Sequence, residues 1–452
     1  MPHKDKPNVV YILTDQWRAK ATGYNGDTNA ITPHIDRLAA ESVNFANAIG
    51  TSPVCTPARA ALLTGRFPTT TGMFMNDVPL SPDEESIGKA FKAGGYATAY
   101  IGKWHVDGHG RASSIPQERR QGFDYWKVLE CTHDYQHSEY YDGDDKQIKT
   151  WPGYDAYAQT QDACEYIKQH GDDPFFLVLS LGPPHFPHDN APTELQQAFS
   201  PEAVSFAPNV VFDDAEFEQF TRKEAAGYYA HIAALDRCVG DVVEVLEANG
   251  LQEDTILIFA SDHGEMMGSH RHRPFKKQIF WDESCRVPYL LRYPPMTAGL
   301  QNHRVMTPLG TVDVMPTLLS LCGVNIPDAV EGTDLSACVR EQVEIEDHVA
   351  LYMSVSPFSD NHRDPAYRAL RTSRHTFVHT SEEVYYLFDD VDDPYQLNNL
   401  AECAEAADIR KELARQLARQ LAKIDDPFRE NEYYLDKWGY EVTEQGYVPY
   451  SR

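Results

Sequence analysis

Short runs of β-branched and aromatic residues alternate with helical patterns over most of the chain. Such runs, bounded by polar residues, predict buried strands at residues 8–14, 97–101, 175–180 and 255–260. An apolar stripe predicts a helix over residues 223–249, which ends at Gly250 just before the fourth run. A helix that leads into a buried strand is typical of a parallel sheet with both faces covered. The pattern therefore predicts an α/β fold with a large, mostly parallel sheet covered by helices.

The pattern changes after about residue 340. Strand-like runs at residues 349–353, 367–380 and 384–388 precede a helix near residues 409–421, whose apolar positions recur every four residues. This order predicts a smaller C-terminal α+β domain over residues 341–424. Residues 425–452 carry seven aromatic side chains without helical spacing, which predicts an extended arm. Because exposed rings are costly, we expect the arm to dock on its own chain or on a neighbouring subunit.

The charge balance excludes some classes of partner. The 452 residues include 40 basic and 68 acidic ones, a net charge of −28, so we expect neither nucleic acid nor a membrane as a partner. No apolar run reaches about 18 residues. The eight cysteines contain no C-x-x-C pair, which argues against a zinc ribbon or a redox pair. As written, the chain is expected to be cytoplasmic, or periplasmic or secreted if a leader was removed.

Side chains capable of chemistry follow each of the four predicted strands. In chain order they are Asp15 and Gln16, Lys103 and His105, His185, and Asp262 and His263. Each by itself has an ordinary explanation as a helix cap or turn residue. In open α/β sheets, however, ligands bind beyond the carboxyl ends of the strands, so these groups are expected to converge on one site.

The segment from residue 51 to residue 66 carries the densest signal. Cys55 precedes a helical run, where backbone amides lower a thiol pKa and bind anions, and Arg59 lies about one turn further on. A buried cysteine beside a helix cap is the alternative. Residues 55–59 (Cys-Thr-Pro-Ala-Arg) and 63–66 (Leu-Thr-Gly-Arg) resemble the C-x-P-x-R…T-G-R signature of type I, formylglycine-dependent sulfatases in the alkaline-phosphatase-like superfamily.

Other landmarks of that family follow in order. They are Asp15-Gln16, Gly102-Lys103-Trp104-His105, Pro184-His185-Phe186-Pro187, Ser261-Asp262-His263-Gly264, Lys277 before Arg286-Val287-Pro288, and a C-terminal segment at residues 386–400. The resemblance covers residues 8 to about 401, so residues 1–340 would form the catalytic sulfatase domain. It implies a sulfatase that hydrolyses an organic sulfate monoester.

The resemblance also implies a cofactor and a modified residue. Cys55 would be converted to formylglycine by a maturation enzyme, and the hydrate of that aldehyde would be the nucleophile, held by Arg59. One divalent metal would be bound by Asp15, Gln16, Cys55, Asp262 and His263. Calcium is expected because it is usual in the family, but many members have Asp and Asn where this chain has Gln16 and His263. Manganese and magnesium therefore remain alternatives.

Roles for the remaining polar residues come from the same resemblance. Lys103 and Lys277 would bind the sulfate oxygens. His105 would deprotonate the sulfated hydrate, and His185 would protonate the leaving alcohol. Asn76 is a weaker candidate for a residue behind the metal ligands.

The substrate is the least determined part of the sequence. His133, Tyr140 and Tyr141 belong to a segment rich in groups that bind sugars, although the same composition suits a packed loop. A strongly acidic enzyme repels a long polyanion, which favours exo action on a short sulfated saccharide. The aromatic arm leaves a homo-oligomer possible.

Two alternatives remain open. A phosphodiesterase or phosphonate monoester hydrolase of the same superfamily is the first, and Lys103-Trp104-His105 argues for the sulfatase, since those enzymes generally lack this motif. A non-catalytic glycan-binding homologue is the second. It would be expected to lose Cys55, Arg59 or a metal ligand, and all of them are present.

Overall fold

A ten-stranded sheet forms the centre of the computed structural model, which describes residues 6–171, 173–444 and 446–451. The strands are β1 (Asn8–Asp15), β2 (Val43–Phe45), β3 (Ala48–Ile49), β4 (Ala97–Lys103), β5 (Tyr125–Leu129), β6 (Glu139–Asp142), β7 (Lys149–Thr150), β8 (Phe175–Pro184), β9 (Thr255–Ser261), β10 (Tyr289–Arg292), β11 (His303–Val305), β12 (Leu309–Gly310), β13 (Ala350–Ser354), β14 (Tyr367–Arg371), β15 (His375–Thr380) and β16 (Tyr385–Asp389). The helices are α1 (Pro33–Ala40), α2 (Cys55–Thr64), α3 (Pro68–Thr71), α4 (Ile87–Ala93), α5 (Asp155–Gln169), α6 (Thr193–Gln196), α7 (Ala215–Ala248), α8 (Asp282–Cys285), α9 (Pro294–Thr297), α10 (Thr311–Leu321), α11 (Ser336–Arg340), α12 (Ala407–Lys423) and α13 (Asn431–Trp438).

The four strands predicted from the apolar runs are neighbours at the middle of this sheet. The strand order is β11-β2-β10-β9-β1-β8-β4-β5-β6-β7, and the strands from β9 to β5 are mutually parallel. Every residue of β1 is buried, with Val9 and Leu13 in one hydrophobic core and Val10 and Ile12 in the other. Because side chains alternate along a strand, one apolar run fills both faces. The predicted α/β class is confirmed.

Helix α7 starts earlier than the apolar stripe predicted. The carboxylate of Asp214 accepts the N–H of Phe217 at 2.7 Å and so fixes the first turn. The first residues of α7 are mostly polar and show no apolar stripe, so hydrophobic periodicity does not predict this start of the helix. Among the described residues, no helix combines the length and the apolarity needed to cross a bilayer.

The C-terminal part forms a four-stranded antiparallel sheet, β13-β14-β15-β16, packed with α12. The single run predicted at residues 367–380 is a hairpin of β14 and β15. Leu370 of β14 and Leu413 of α12 belong to the same hydrophobic cluster as Val9 of the large sheet, so the two sheets share one core. The domain boundaries at residues 340 and 424 stay a prediction.

The prediction of a wholly extended arm is wrong, because residues 431–438 form α13. Eight residues are too few to show a helical period in the sequence. The arm docks on its own chain: Tyr434 is fully buried against Phe74, and the Tyr440 hydroxyl donates to the carbonyl of Gly72 at 3.0 Å. A Cβ on Gly72 would meet the Trp438 ring at 2.5 Å, so glycine is needed there. Assembly through the arm stays a prediction.

Candidate active site

The carboxyl ends of the central strands bring the predicted residues together. Asp15 ends β1, and Asp262 and His263 follow β9 directly. The Sγ atom of Cys55 lies 3.5 Å from Asp15 Oδ1 and 3.3 Å from His263 Nε2. Lys103 ends β4, and its Nζ is 3.8 Å from the same sulfur. Residues far apart in the chain thus surround Cys55, as parallel strand ends should.

A glycine at position 102 lets β4 deliver Lys103 to this point. Gly102 has a φ of 102°, a backbone conformation that residues with a side chain rarely adopt. A Cβ at this position would lie 2.0 Å from the carbonyl oxygen of Ser180 on β8. Gln16 and His105 also have left-handed φ values, of 66° and 60°. Such backbone conformations cost energy and are concentrated at functional sites.

Cys55 is the first residue of α2, and polar contacts hold this end of the helix in place. The Asn76 side-chain oxygen accepts the N–H of Thr56 at 3.0 Å, and the Thr56 hydroxyl donates to the His105 carbonyl at 2.6 Å. Asn76 therefore supports the first turn of α2, where Cys55 lies, and also lines the cavity above it.

Arg59 ties the two acidic groups together from beneath. Its guanidinium donates to Asp15 Oδ2 at 3.0 Å and to Asp262 Oδ2 at 3.1 Å, and it also binds the Lys103 carbonyl at 2.9 Å. All of these groups are buried. A planar, always charged guanidinium suits such a fixed set of acceptors.

The charges at the centre shift one another's pKa values. Burial alone would raise the pKa of Asp15, but Lys103 and Arg59 outweigh it and hold that pKa well below its usual range. Burial, with the charge of Asp15 added, raises the pKa of Asp262 to about 7. Burial would also raise the pKa of Cys55, yet Lys103 and Lys277 lower it well below that of a free thiol. The centre favours an anion at position 55.

The donor set fits a divalent cation. Asp15, Cys55, Asp262 and His263 each offer a ligand atom within 4.8 Å of the others, and all four are buried. The His263 Nδ1–H donates to the Gly264 carbonyl at 3.0 Å, which leaves Nε2 as the ligand atom of the neutral ring. Two buried carboxylates beside one another are the environment that a cation stabilises.

Glu265 fixes the orientation of Gln16, and sequence reasoning missed it. The Gln16 amide nitrogen donates to Glu265 Oε2, while its oxygen accepts from Lys277 Nζ at 2.9 Å. Glu265 Oε1 accepts the N–H groups of Met267 and Phe275, each at 2.9 Å. The amide oxygen of Gln16 therefore faces the site. The position of Glu265 two residues after His263 was the signal that could have found it.

Lys277 and His185 form a hydrogen-bonded pair over Cys55. Lys277 Nζ lies 3.6 Å from the Cys55 sulfur and donates to His185 Nε2 at 2.8 Å. The His185 Nδ1–H donates to the Phe186 carbonyl at 2.8 Å. Burial and then the charge of Lys277 lower the pKa of His185 well below its usual value. Free of substrate, His185 is therefore neutral.

His105 is oriented by two residues that the sequence did not single out. Its Nε2 is 3.4 Å from Asp77 Oδ1, and Arg111 donates to both oxygens of Asp77, at 3.1 and 2.9 Å. Burial by itself lowers the pKa of His105, while Cys131 and Asp77 raise it, and the net shift is upward. No motif marks Asp77 or Arg111, because neither adjoins a strand end.

A cavity of about 610 Å³ opens above Cys55. His105, His133, His185 and Lys277 line it, and so does Tyr447 of the arm. The His133 ring is parallel to that of His185, with centroids 4.8 Å apart. The predicted sugar contacts Tyr140 and Tyr141 do not line this cavity. Tyr140 stacks on Trp151, and the Tyr141 hydroxyl donates to the Ala112 carbonyl at 2.9 Å, so both serve packing.

Family models match nearly the whole chain. The sulfatase model matches residues 7–324, and the model for the C-terminal part of N-sulphoglucosamine sulphohydrolase matches residues 269–423. An ulvan-active sulfatase of Formosa agariphila is 48% identical over 440 residues, which are 96% of this chain and 85% of that protein. An endo-4-O-sulfatase of Bacteroides thetaiotaomicron is 29% identical and covered to 96% on both sides.

Solved structures show the same relationship. A Bacteroides fragilis protein assigned as the sulfatase yidJ is 32% identical with a TM-score of 0.86, covering 96% of this chain and 99% of that one. The phosphonate monoester hydrolase of Agrobacterium radiobacter shares the fold, with a TM-score of 0.74 at 23% identity, over 99% of this chain and 100% of that one. The sulfatase model and the 48% identical relative show that the chain belongs to the sulfatase family and is a sulfuric ester hydrolase.

Proposed function

We propose that this sulfatase hydrolyses sulfate monoesters of carbohydrates and acts on the end residue of short saccharides. One observation carries the proposal: the Cys55 sulfur lies between Asp15, His263, Lys103 and Lys277 at the base of an open cavity. Two relatives support a carbohydrate substrate: the ulvan-active sulfatase, and an N-acetylglucosamine-6-O-sulfatase of Bacteroides thetaiotaomicron that is 24% identical over 93% of this chain and 88% of that protein. The net charge of −28 supports a short one, since it opposes the approach of a long polyanion.

A formylglycine made from Cys55 by a maturation enzyme supplies the nucleophile in this proposal. A thiol that attacked a sulfate ester would leave a thiosulfate ester without an internal route to hydrolysis. The hydrated aldehyde has two hydroxyl groups instead. One attacks sulfur while the ester S–O bond breaks, and the other then loses its proton as the C–O bond to sulfate breaks and the aldehyde re-forms.

The surrounding residues have separate tasks in these steps. Lys103 and Lys277 lie where they stabilise charge on the sulfate oxygens, an environment that acts most strongly when it is fixed and dry. The negative charge of the bound sulfate offsets the positive charge of Lys277. His185 can then hold the proton that it gives to the leaving alcohol. In its neutral form, His105, oriented by its contact to Asp77, takes the proton of the second hydroxyl.

A divalent metal completes the proposed centre. Asp15, Gln16, Asp262, His263 and the modified residue at position 55 would hold it, and it would polarise the sulfate and the attacking oxygen. Oxygen donors predominate in this set, which supports calcium. The same oxygen donors suit magnesium, and the imidazole of His263 shifts the preference toward manganese, so metal analysis is needed to separate the three ions.

Hydrolysis of a phosphodiester or a phosphonate monoester, reactions of the same superfamily, is the second candidate. The fold is shared with a phosphonate monoester hydrolase, so fold alone does not separate the two reactions. Lys103, which is paired with Asp15 at 2.8 Å, supports sulfate transfer because it adds a second cation beside Lys277. An activity panel with sulfated monosaccharides, an aryl sulfate and a phosphodiester separates them: sulfate release only from the sulfates is expected, and preference for the phosphodiester would refute the proposal.

Mass spectrometry of the peptide that contains Cys55 tests the nucleophile. Active preparations are expected to show the aldehyde mass, and full activity with only the thiol present would contradict the mechanism. Cys55→Ala should lower turnover on the order of 10⁴-fold or more, because it removes the group that becomes covalently sulfated. Cys403→Ala, which changes an exposed thiol elsewhere, serves as the control.

A further inference from the structure

The cavity above Cys55 carries a charge opposite to that of the protein. The chain has 68 acidic and 40 basic residues, yet none of the residues that line the cavity, all within the described part of the chain, is Asp or Glu. Arg111, Arg273, Lys276 and Lys277 line it together with three histidines. Cations concentrated in a cleft of an acidic protein focus a positive potential there.

One sulfate does not account for all of these cations. Lys103 and Lys277 at the base lie 3.8 Å and 3.6 Å from the Cys55 sulfur, where the reacting sulfate must sit. Of the cations further out, Arg111 is paired with Asp77, and Lys276 is paired with Asp364. Those two charges are therefore largely balanced by the protein.

Arg273 is different. It is exposed, its guanidinium lies 5.4 Å from the centroid of the Phe217 ring, and it forms no ion pair with any Asp or Glu of the described residues. Phe220 and Phe275, whose ring centroids are 5.8 Å apart, also line the cavity. An unpaired guanidinium beside apolar rings suits a sugar that presents one apolar face and one negatively charged substituent.

We propose that the cavity mouth around Arg273 binds a second anionic group of the substrate, a carboxylate or a second sulfate on the sugar that carries, or adjoins, the scissile sulfate. This inference rests on the proposed function and narrows the substrate class to acidic saccharides. It is compatible with exo action: the overall negative charge opposes long polyanions at a distance, while the cavity attracts a short one within a Debye length of about 8 Å.

The test compares Arg273→Ala with wild type on substrates that share one scissile sulfate. They are a sulfated sugar linked to a uronic acid, a disulfated sugar, a neutral sugar monosulfate and an aryl sulfate. For the first, the second or both, kcat/KM should fall roughly tenfold or more, because charged hydrogen bonds to the second anionic group are lost. It should change less than about threefold for the neutral sugar monosulfate and the aryl sulfate, whose only anionic group is the scissile sulfate. The acidic substrate that responds identifies the group as carboxylate or sulfate.

Arg271→Ala is the matched control. Arg271 belongs to the same segment, but it is paired with Asp213 and does not line the cavity, so all four substrates should be unaffected. Arg273→Lys keeps the charge and should retain part of the selectivity. An equal loss of kcat/KM on all four substrates, or no loss on either acidic one, would overturn the subsite.

Calorimetry separates failure of this inference from failure of the proposed function. If wild type released sulfate from none of the four substrates, the proposed function would fail, but the protein could still be titrated with the acidic and the neutral sugars. Tighter binding of the acidic sugar by wild type than by Arg273→Ala supports the subsite. Equal binding of that sugar by the two proteins refutes it.

Discussion

The base and the mouth of the cavity are built in different ways. At the base, Asp15, Lys103 and Asp262 come from or directly follow strands of one sheet. Arg59 forms buried ion pairs with the two aspartates and donates to the Lys103 carbonyl. At the mouth, Arg273 comes from a loop and Tyr447 from the C-terminal arm, and both are exposed. A rigid base suits a reaction common to all substrates, whereas a mouth made of loops can vary to select among them.

Among the changes that compare the base with the mouth, loss of Lys103 gives the largest expected effect. It tests whether the base of the cavity acts on all substrates alike. Lys103→Ala removes a buried cation beside the sulfate, so kcat should fall on the order of 10²- to 10³-fold for acidic, neutral and aryl sulfates equally. Steady-state kinetics measures this. Lys127→Ala, on the adjacent strand β5 and paired with Asp162, is the control. Near wild-type turnover by Lys103→Ala would mean that the base of the cavity does not need the positive charge of Lys103.

Replacing Tyr434 should weaken the attachment of the C-terminal arm to the rest of the chain. This ring is fully buried, and its hydroxyl accepts from Arg368 at 3.0 Å, so Tyr434→Ala should lower the free energy of unfolding by about 3 kcal/mol. Denaturant titration measures that loss. Tyr433→Ala changes a neighbour that is 43% exposed and should cost less than about 0.5 kcal/mol. Equal stability of the two variants would show that the arm is not anchored as described.

Glu265 tests how far the base depends on its supporting residues. The Glu265 carboxylate accepts three N–H groups, one from the Gln16 amide and two from the backbone. The side-chain amide in Glu265→Gln cannot accept all three. Calcium and manganese affinity, measured calorimetrically on metal-free protein, should fall about tenfold. Asp236→Asn is the control. Asp236 is a buried carboxylate outside the site, and it accepts the N–H groups of His34 and Ile35. Unchanged metal affinity would leave Glu265 a structural residue only.

Tyr447 gives the smallest expected effect and belongs to the mouth alone. Its hydroxyl is 2.5 Å from the Ser359 hydroxyl, and its ring lines the cavity. Tyr447→Ala should raise KM for a sugar sulfate a few-fold, about 1 kcal/mol or less, and leave kcat for an aryl sulfate unchanged. Steady-state kinetics on both substrates checks this. A fall in kcat on the aryl sulfate would show that the arm also shapes the base.

The sequence by itself determined the central strands and the residues that follow them. A buried parallel strand needs a continuous apolar run, and its carboxyl end must carry the polar groups of the site, so Asp15, Lys103 and Asp262 could be predicted to converge. The roles assigned to them came from the family resemblance. Spacing could not have suggested the formylglycine that is proposed at position 55.

Only the tertiary structure decided which residues support and surround that centre. Gln16 and Glu265 are 249 positions apart, and Ser359 and Tyr447 are 88 apart, so no local period connects either pair. Asp77 and Arg111 adjoin no predicted strand, and Tyr140 and Tyr141, which have suitable chemistry, are occupied in packing. Local sequence determines strands and their ends, because a buried strand needs a continuous apolar run and the polar residues that follow the run mark its end. The contacts of a loop or arm depend on which surface it meets after folding.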